Sequence, residues 1–212
     1  MPTPIVIAYG NGNGPDILEA VLIILREVAA DITLESVEIG KRIYDMGGIS
    51  GILPSSLDVL KRVRCLLKAP TAVPPEGYED VSQAILRTMD VDASSEQHYY
   101  AYVDEGKLHI SNAPNATDTC RELGRCKAFI AEHFSLYEPD GDEPNVYSML
   151  LATVILLNHI GAYQTTDLIL NAWQLAIADG VHEQNLYEDE FAEEILSRIG
   201  RKPLLQTVIN IQ

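Results

Sequence analysis

Positive charge is scarce in this chain. Only 15 Lys and Arg stand against 31 Asp and Glu, a formal net charge of -16 over 212 residues. Most of the surface therefore repels a polyanion, and neither nucleic acid nor an anionic membrane is an expected partner. Cysteine is scarce as well. Cys65, Cys120 and Cys126 are an odd set, which excludes a complete disulfide framework, and the five residues between Cys120 and Cys126 match no common metal-ligand spacing. Reduced thiols in a cytoplasmic protein, with no metal, are the expectation. Met-Pro-Thr-Pro at the start carries no positive charge, and glycines break the first apolar stretch long before it spans a bilayer, so no secretion or transmembrane segment is expected. Internal repeats and low-complexity segments are missing too.

What is present is an ordinary globular composition, 47% apolar and 22% charged, in a length that suits one domain over residues 1–212. Ile5 to Tyr9 is apolar, largely β-branched and bounded by Pro4 and Gly10, which reads as a buried parallel strand. A helix follows, with Pro15 in its first turn and Ile17, Val21, Ile24 and Val28 at helical spacing. Ile32 to Ile39 alternates as a second strand. Strand, helix, strand is a right-handed crossover, and the fold class is α/β. Between the first strand and the helix stands GNGNGP. Its glycines, Gly10, Gly12 and Gly14, do not fit GxGxxG, and no acidic residue lies at the distance a dinucleotide site uses, so a tight turn is expected in preference to phosphate contact.

Pro54 to Val63 reads as a helix leading into CLLK, APTAVPPEGY as loop, and Tyr78 to Asp92 as an amphipathic helix. HYYAYVDEGKLHI reads as a hairpin at a sheet edge, and its Tyr-rich strand as an edge open to self-pairing. SNAPNATDTCRELGRC is expected to be loop, KAFIAE a short strand and LYEPDGDEP an acidic loop. NVYSMLLATVILLNHIG is apolar all round, a buried helix ended by Gly161; TTDLILNAWQLAIADG, capped by Thr165 or Thr166, and EDEFAEEILSRIG are two more. LLQTVINIQ closes as a strand or tail.

Three of these stretches, in order, resemble the isocitrate and isopropylmalate dehydrogenase family, bacterial isocitrate dehydrogenases most closely. They are AYGNGNGPDI at 8–17, LKAPTAVPPEGYEDV at 67–81, and the run from Asn145 to Gly161 continuing through NAWQLAIADGVH and FAEEILSRIG. Residues 1–92 and 126–212 are family-like, and 93–125 diverge. The resemblance implies a three-layer α/β large domain of that family with a mixed sheet. It also implies that the central small domain, which in the family carries the acid-base tyrosine and lysine and the aspartates for Mg2+ or Mn2+, is replaced here by a short hairpin. No catalytic residue is therefore assigned. Asp92, Asp104, Asp118, Tyr99, Tyr100 and Tyr102 of the middle segment show no ligand spacing and are expected to be solvated or packed in the sheet.

The substrate loop of the family maps onto Lys68, Asp80, Ser82 and Arg87, in degenerate form. Asp80, Ser82 and Leu86 stand where the family places a serine, an asparagine and an arginine that contact substrate carboxylates, and an aspartate repels what an arginine would clamp. His133 and Asn145 map onto an adenine-binding histidine and asparagine, with a surface histidine and a helix N-cap as the plainer readings. NAD or NADP is thus the cofactor left open, and Mg2+ or Mn2+ is not expected. The reading is a truncated, catalytically inactive relative with a binding, regulatory or assembly role, which meets a protein partner or a second copy through surface exposed by the missing domain. The alternative is an NAD(P)-dependent decarboxylating dehydrogenase whose composite site another subunit completes.

Overall fold

Alternate residues of the first strand enter two different cores. In the computed structural model, which describes residues 2–28, 31–114, 120–141 and 143–202, β1 (Thr3–Ala8) sends Ile5 and Ile7 to one face and Val6 and Ala8 to the other. A strand apolar on both sides must be covered on both sides. The first face packs against α1 (Gly14–Glu27) and the C-terminal helices, while the second packs against the helices that follow β2 (Ile32–Val37). Those are α2 (Lys41–Asp45), α3 (Pro54–Val63) and, after β3 (Cys65–Lys68), α4 (Val81–Thr88).

The hairpin is β4 (Glu96–Asp104) and β5 (Lys107–Ser111), turning through Glu105 and Gly106, both at positive φ. Two further strands, β6 (Arg121–Ile130) and β7 (Ser135–Asp140), lead into α5 (Val146–His159), α6 (Tyr163–Ala178) and α7 (Glu188–Leu196). The seven strands form one mixed sheet in the order β2-β1-β3-β7-β6-β4-β5. β1, β2, β3 and β7 run parallel, β6 opposes β7 and β4, and β4 opposes β5.

Several expectations are corrected here. RELGRC is not loop but the first half of β6, because a register shift opposite Ala101 and Tyr102 breaks the alternation a strand would show. Gly124 fits there because a Cβ would lie 2.6 Å from the Ser148 amide, so only glycine lets α5 come this close. LYEPD is not an acidic loop but β7, deep in the sheet. Pro139 is tolerated because the β3 ladder ends at Tyr137, two residues earlier, and no donor is lost. β4 is interior, hydrogen-bonded to β5 and β6, so the Tyr-rich strand is not an edge open to self-pairing. α6 begins earlier than expected. Its N-cap is Ala162, and the Thr166 hydroxyl donates back to the Ala162 carbonyl. Asp118 and the expected closing strand or tail, 204–212, lie outside the described residues.

Candidate functional site

The carboxyl ends of β1, β3 and β7 converge, the region where open α/β sheets place their ligands. The three loops there interlock. The Asn11 amide donates to the Pro70 carbonyl at 3.0 Å, the Ala72 amide to Asn11 Oδ1 at 3.0 Å, and Asn13 Nδ2 to the Pro144 carbonyl at 2.9 Å. Gly10, at φ +65°, approaches so near that an added Cβ would stand 1.9 Å from the Pro70 oxygen. The glycine turn thus serves loop packing.

Beside this lock opens a cleft of about 390 Å³, whose lining includes Lys68, Asp80, Ser82, Lys127, Glu138 and Asp140. Glu138 points from the centre of the sheet and is 3% exposed. Lys68 Nζ donates to its Oε2 at 2.6 Å, the Ser82 hydroxyl to the same oxygen at 2.7 Å, and Lys127 Nζ lies 3.4 Å from Oε1. Burial alone would raise the carboxyl pKa; the two ammonium groups and the two hydrogen bonds reverse that and hold it below the usual glutamate value. Burial of Lys127 is likewise outweighed by Glu138 and Asp140, which keep its ammonium above the ordinary value.

Asp80 caps α4. Its Oδ1 accepts from the Ser82 and Gln83 amides at 2.9 and 3.1 Å, so the anion-binding end of this helix already holds a carboxylate of the chain itself. Of the four candidate substrate residues, three meet in the cleft. Arg87 does not; on the exposed face of α4 it forms a two-pronged pair with Glu79, at 2.9 and 2.8 Å. Leu86 is buried among the residues of the second core.

The two candidate adenine residues are set apart. Asn145 caps α5, accepting from the Ser148 amide at 2.9 Å and donating to the Leu123 carbonyl at 3.0 Å, near the start of β6. His133 is exposed in the turn after β6, where its Nε2 meets the Met89 carbonyl at 2.6 Å. The length of β6 separates them, roughly 30 Å for its ten residues. One nucleotide base cannot touch both.

A divalent ion fits the cleft no better. The Asp80 carboxylate is engaged by helix amides, Glu138 by lysines, and Asp140 lies 3.5 Å from His98. Among the described residues no three of His, Cys, Asp and Glu are grouped to hold a metal. Asp92 caps a single helical turn through the Ser94 amide, and Tyr102 stacks on His109 with ring centres 5.2 Å apart. The residue that sequence reasoning missed is Glu138, hidden in what read as acidic loop; the apolar Leu136 and Tyr137 just before it were the available signal of a strand.

No family model matches the chain. Over 93 residues, 43% of the chain, it is 45% identical to the NADP isocitrate dehydrogenase of Rickettsia prowazekii (strain Madrid E), a segment that spans 19% of that relative. Against the NADP isocitrate dehydrogenase of Rickettsia bellii (strain RML369-C) the match extends over 341 residues at 25% identity, covering 95% of the chain and 71% of the relative. The chain is thus similar to bacterial NADP isocitrate dehydrogenases, strongly over a short segment and more weakly along most of its length.

The fold agrees with that similarity. The crystal structure of isocitrate dehydrogenase from Methylococcus capsulatus superposes with a TM-score of 0.73 at 13% identity, over 93% of this chain and 99% of that one. A β-decarboxylating dehydrogenase from Thermococcus kodakarensis gives 0.71 at 10% identity, over 93% and 96%. At 212 residues the chain is shorter than the span it matches in the R. bellii relative. A match of 341 residues against a chain of 212 leaves more than a hundred positions that only the R. bellii relative fills. No helix among the described residues is long and apolar enough to cross a membrane.

Proposed function

We propose that this chain is a catalytically inactive member of the family, a scaffold for binding, regulation or assembly in which the hairpin β4–β5 stands in place of the central domain. The observation that carries the reading is the Asp80 carboxylate at the N-terminus of α4. A substrate carboxylate needs that position, and the chain fills it with one of its own and turns the Ser82 hydroxyl away to Glu138. The remaining cationic groups of the cleft, Lys68 and Lys127, are both committed to Glu138. An incoming polycarboxylate would meet two further carboxylates, Asp80 and Asp140, at close range.

The test is to follow NAD+ or NADP+ reduction by the purified chain with isocitrate and Mn2+, and to titrate isocitrate by calorimetry. No reduction and no heat of binding are expected. Turnover that scales with protein concentration and disappears in Lys68→Met would overturn the reading and favour the composite enzyme.

A further inference from the structure

A second and larger cavity lies at the other end of the same sheet edge, outside the carboxyl ends of β1 and β2. It encloses about 650 Å³, and its lining includes Tyr9, Gly10, Ser36, Glu38, Lys41 and Arg42. None of the residues discussed for isocitrate chemistry contributes to it. Glu38 directly follows the last residue of β2, and β2 is paired in parallel to β1, so the sheet itself sets this carboxylate beside the Gly10 turn. Counting along the sequence from the glycines misses this, because that count depends on the length of α1 and its flanking turns. The position is fixed by the end of β2.

We infer that this crevice binds a nucleoside, recognised through its ribose diol by Glu38. A carboxylate at the end of the second parallel strand accepts from two vicinal hydroxyls at once, and such charge-assisted bonds are the strong ones. Tyr9 supplies aromatic surface for a base and, together with Val37 and Ile39, makes part of the wall apolar. The wall is not negative, despite the net charge of the molecule. Lys41 and Arg42 balance Glu38 and Asp45, with which they pair at 2.8 Å in exposed one-turn ion pairs. Pairs of this kind contribute only a few tenths of a kcal/mol, so a hydroxyl can share Glu38 with Arg42 at little cost.

The same geometry limits the ligand to a single nucleoside unit. A dinucleotide anchored at Glu38 would have to continue across the crevice between β1 and β3. That crevice is closed by the Gly10–Pro70 approach and by the two hydrogen bonds of Asn11. The site and the lock are therefore parts of one arrangement, in which the turn that excludes a pyrophosphate also forms the wall for the ribose.

The probe is adenosine, titrated into the full chain by calorimetry beside 2′,3′-dideoxyadenosine and NAD+. Saturable adenosine binding is expected, at least tenfold weaker for the dideoxy compound and no tighter for NAD+. Glu38→Gln is expected to weaken adenosine at least tenfold with an unchanged thermal melt, since the side chain is exposed, and Asn145→Ala to leave it unchanged. Absence of heat with adenosine at millimolar concentration overturns the proposal. So does equal binding of the dideoxy compound, indifference to Glu38→Gln, or loss in Asn145→Ala. The result is independent of the isocitrate assay, because no residue is shared between the two sites.

Discussion

Glu138 is a carboxylate that burial alone would protonate, and three neighbours keep it charged. Removing one of them leaves most of the desolvation cost in place with less to offset it. Lys68→Met should therefore destabilise the chain by about 3–5 kcal/mol in urea unfolding, while Lys68→Met combined with Glu138→Leu should recover most of the loss. The pH dependence has a definite sign. Because the folded pKa of Glu138 is depressed, its contribution is complete above the unfolded value near 4.5 and is lost as the pH falls through the lower folded value. Urea midpoints at pH 6, 5, 4 and 3 should fall in the wild type, with a smaller decline in the double variant. Lys68 and Ser82 were legible in the sequence as members of a loop with a known relative. Their common partner was not, since a lone acid among Asp and Glu residues carries no mark of burial.

At the scale of the element, the sequence described the hairpin and set it at a sheet edge, but took the wrong one of its two strands as the exposed one. The turn at Glu105 and Gly106 and the alternating runs on either side are local properties, readable from a dozen residues. That β4 is interior follows only from its pairing with β6, a strand whose alternation is broken by a bulge. The outer strand is fastened by α6. Gln174 Oε1 accepts from the Leu108 amide at 2.7 Å, and its Nε2 donates to the Gly106 carbonyl at 3.1 Å. This side chain is largely buried and satisfies part of an edge that would otherwise be open. Gln174→Ala should cost about 1–3 kcal/mol, and hydrogen exchange should speed up at the amides of β5 more than at those of β1 or β3. Uniform acceleration across the sheet would count against the clasp and for a general loss of stability.

The whole molecule carries a formal charge of -16, and several of the ion pairs among the described residues are exposed. Exposed pairs each contribute little, whereas like-charge repulsion sums over the entire surface. Raising NaCl from about 10 mM to about 150 mM shortens the screening length from about 30 Å to about 8 Å. The thermal midpoint should rise over that interval; a fall would mean that specific pairs outweigh the net repulsion. At this scale the family resemblance carried far, because stretches 8–17, 67–81 and 145–161 keep their order and supply one strand-helix turn, one loop and one buried helix of the sheet's core.

The sequence by itself determined the elements whose periodicity is local: β1 with α1, the helix Pro54–Val63, and the buried α5 ended at Gly161, together with the resemblance that three of its stretches carry. Charge, cysteine content and glycine spacing were readable for the same reason, since each is a property of neighbours along the chain. Only the tertiary structure decided that LYEPD is a central strand, that Glu138 meets Lys68, Ser82 and Lys127, that Asp80 occupies the helix end a ligand would need, and that His133 and Asn145 lie at opposite ends of β6. Those facts depend on which strands become neighbours in the sheet. Partners such as Lys68 and Glu138 are separated by 70 residues of chain, and no local pattern records who will pair across such a distance.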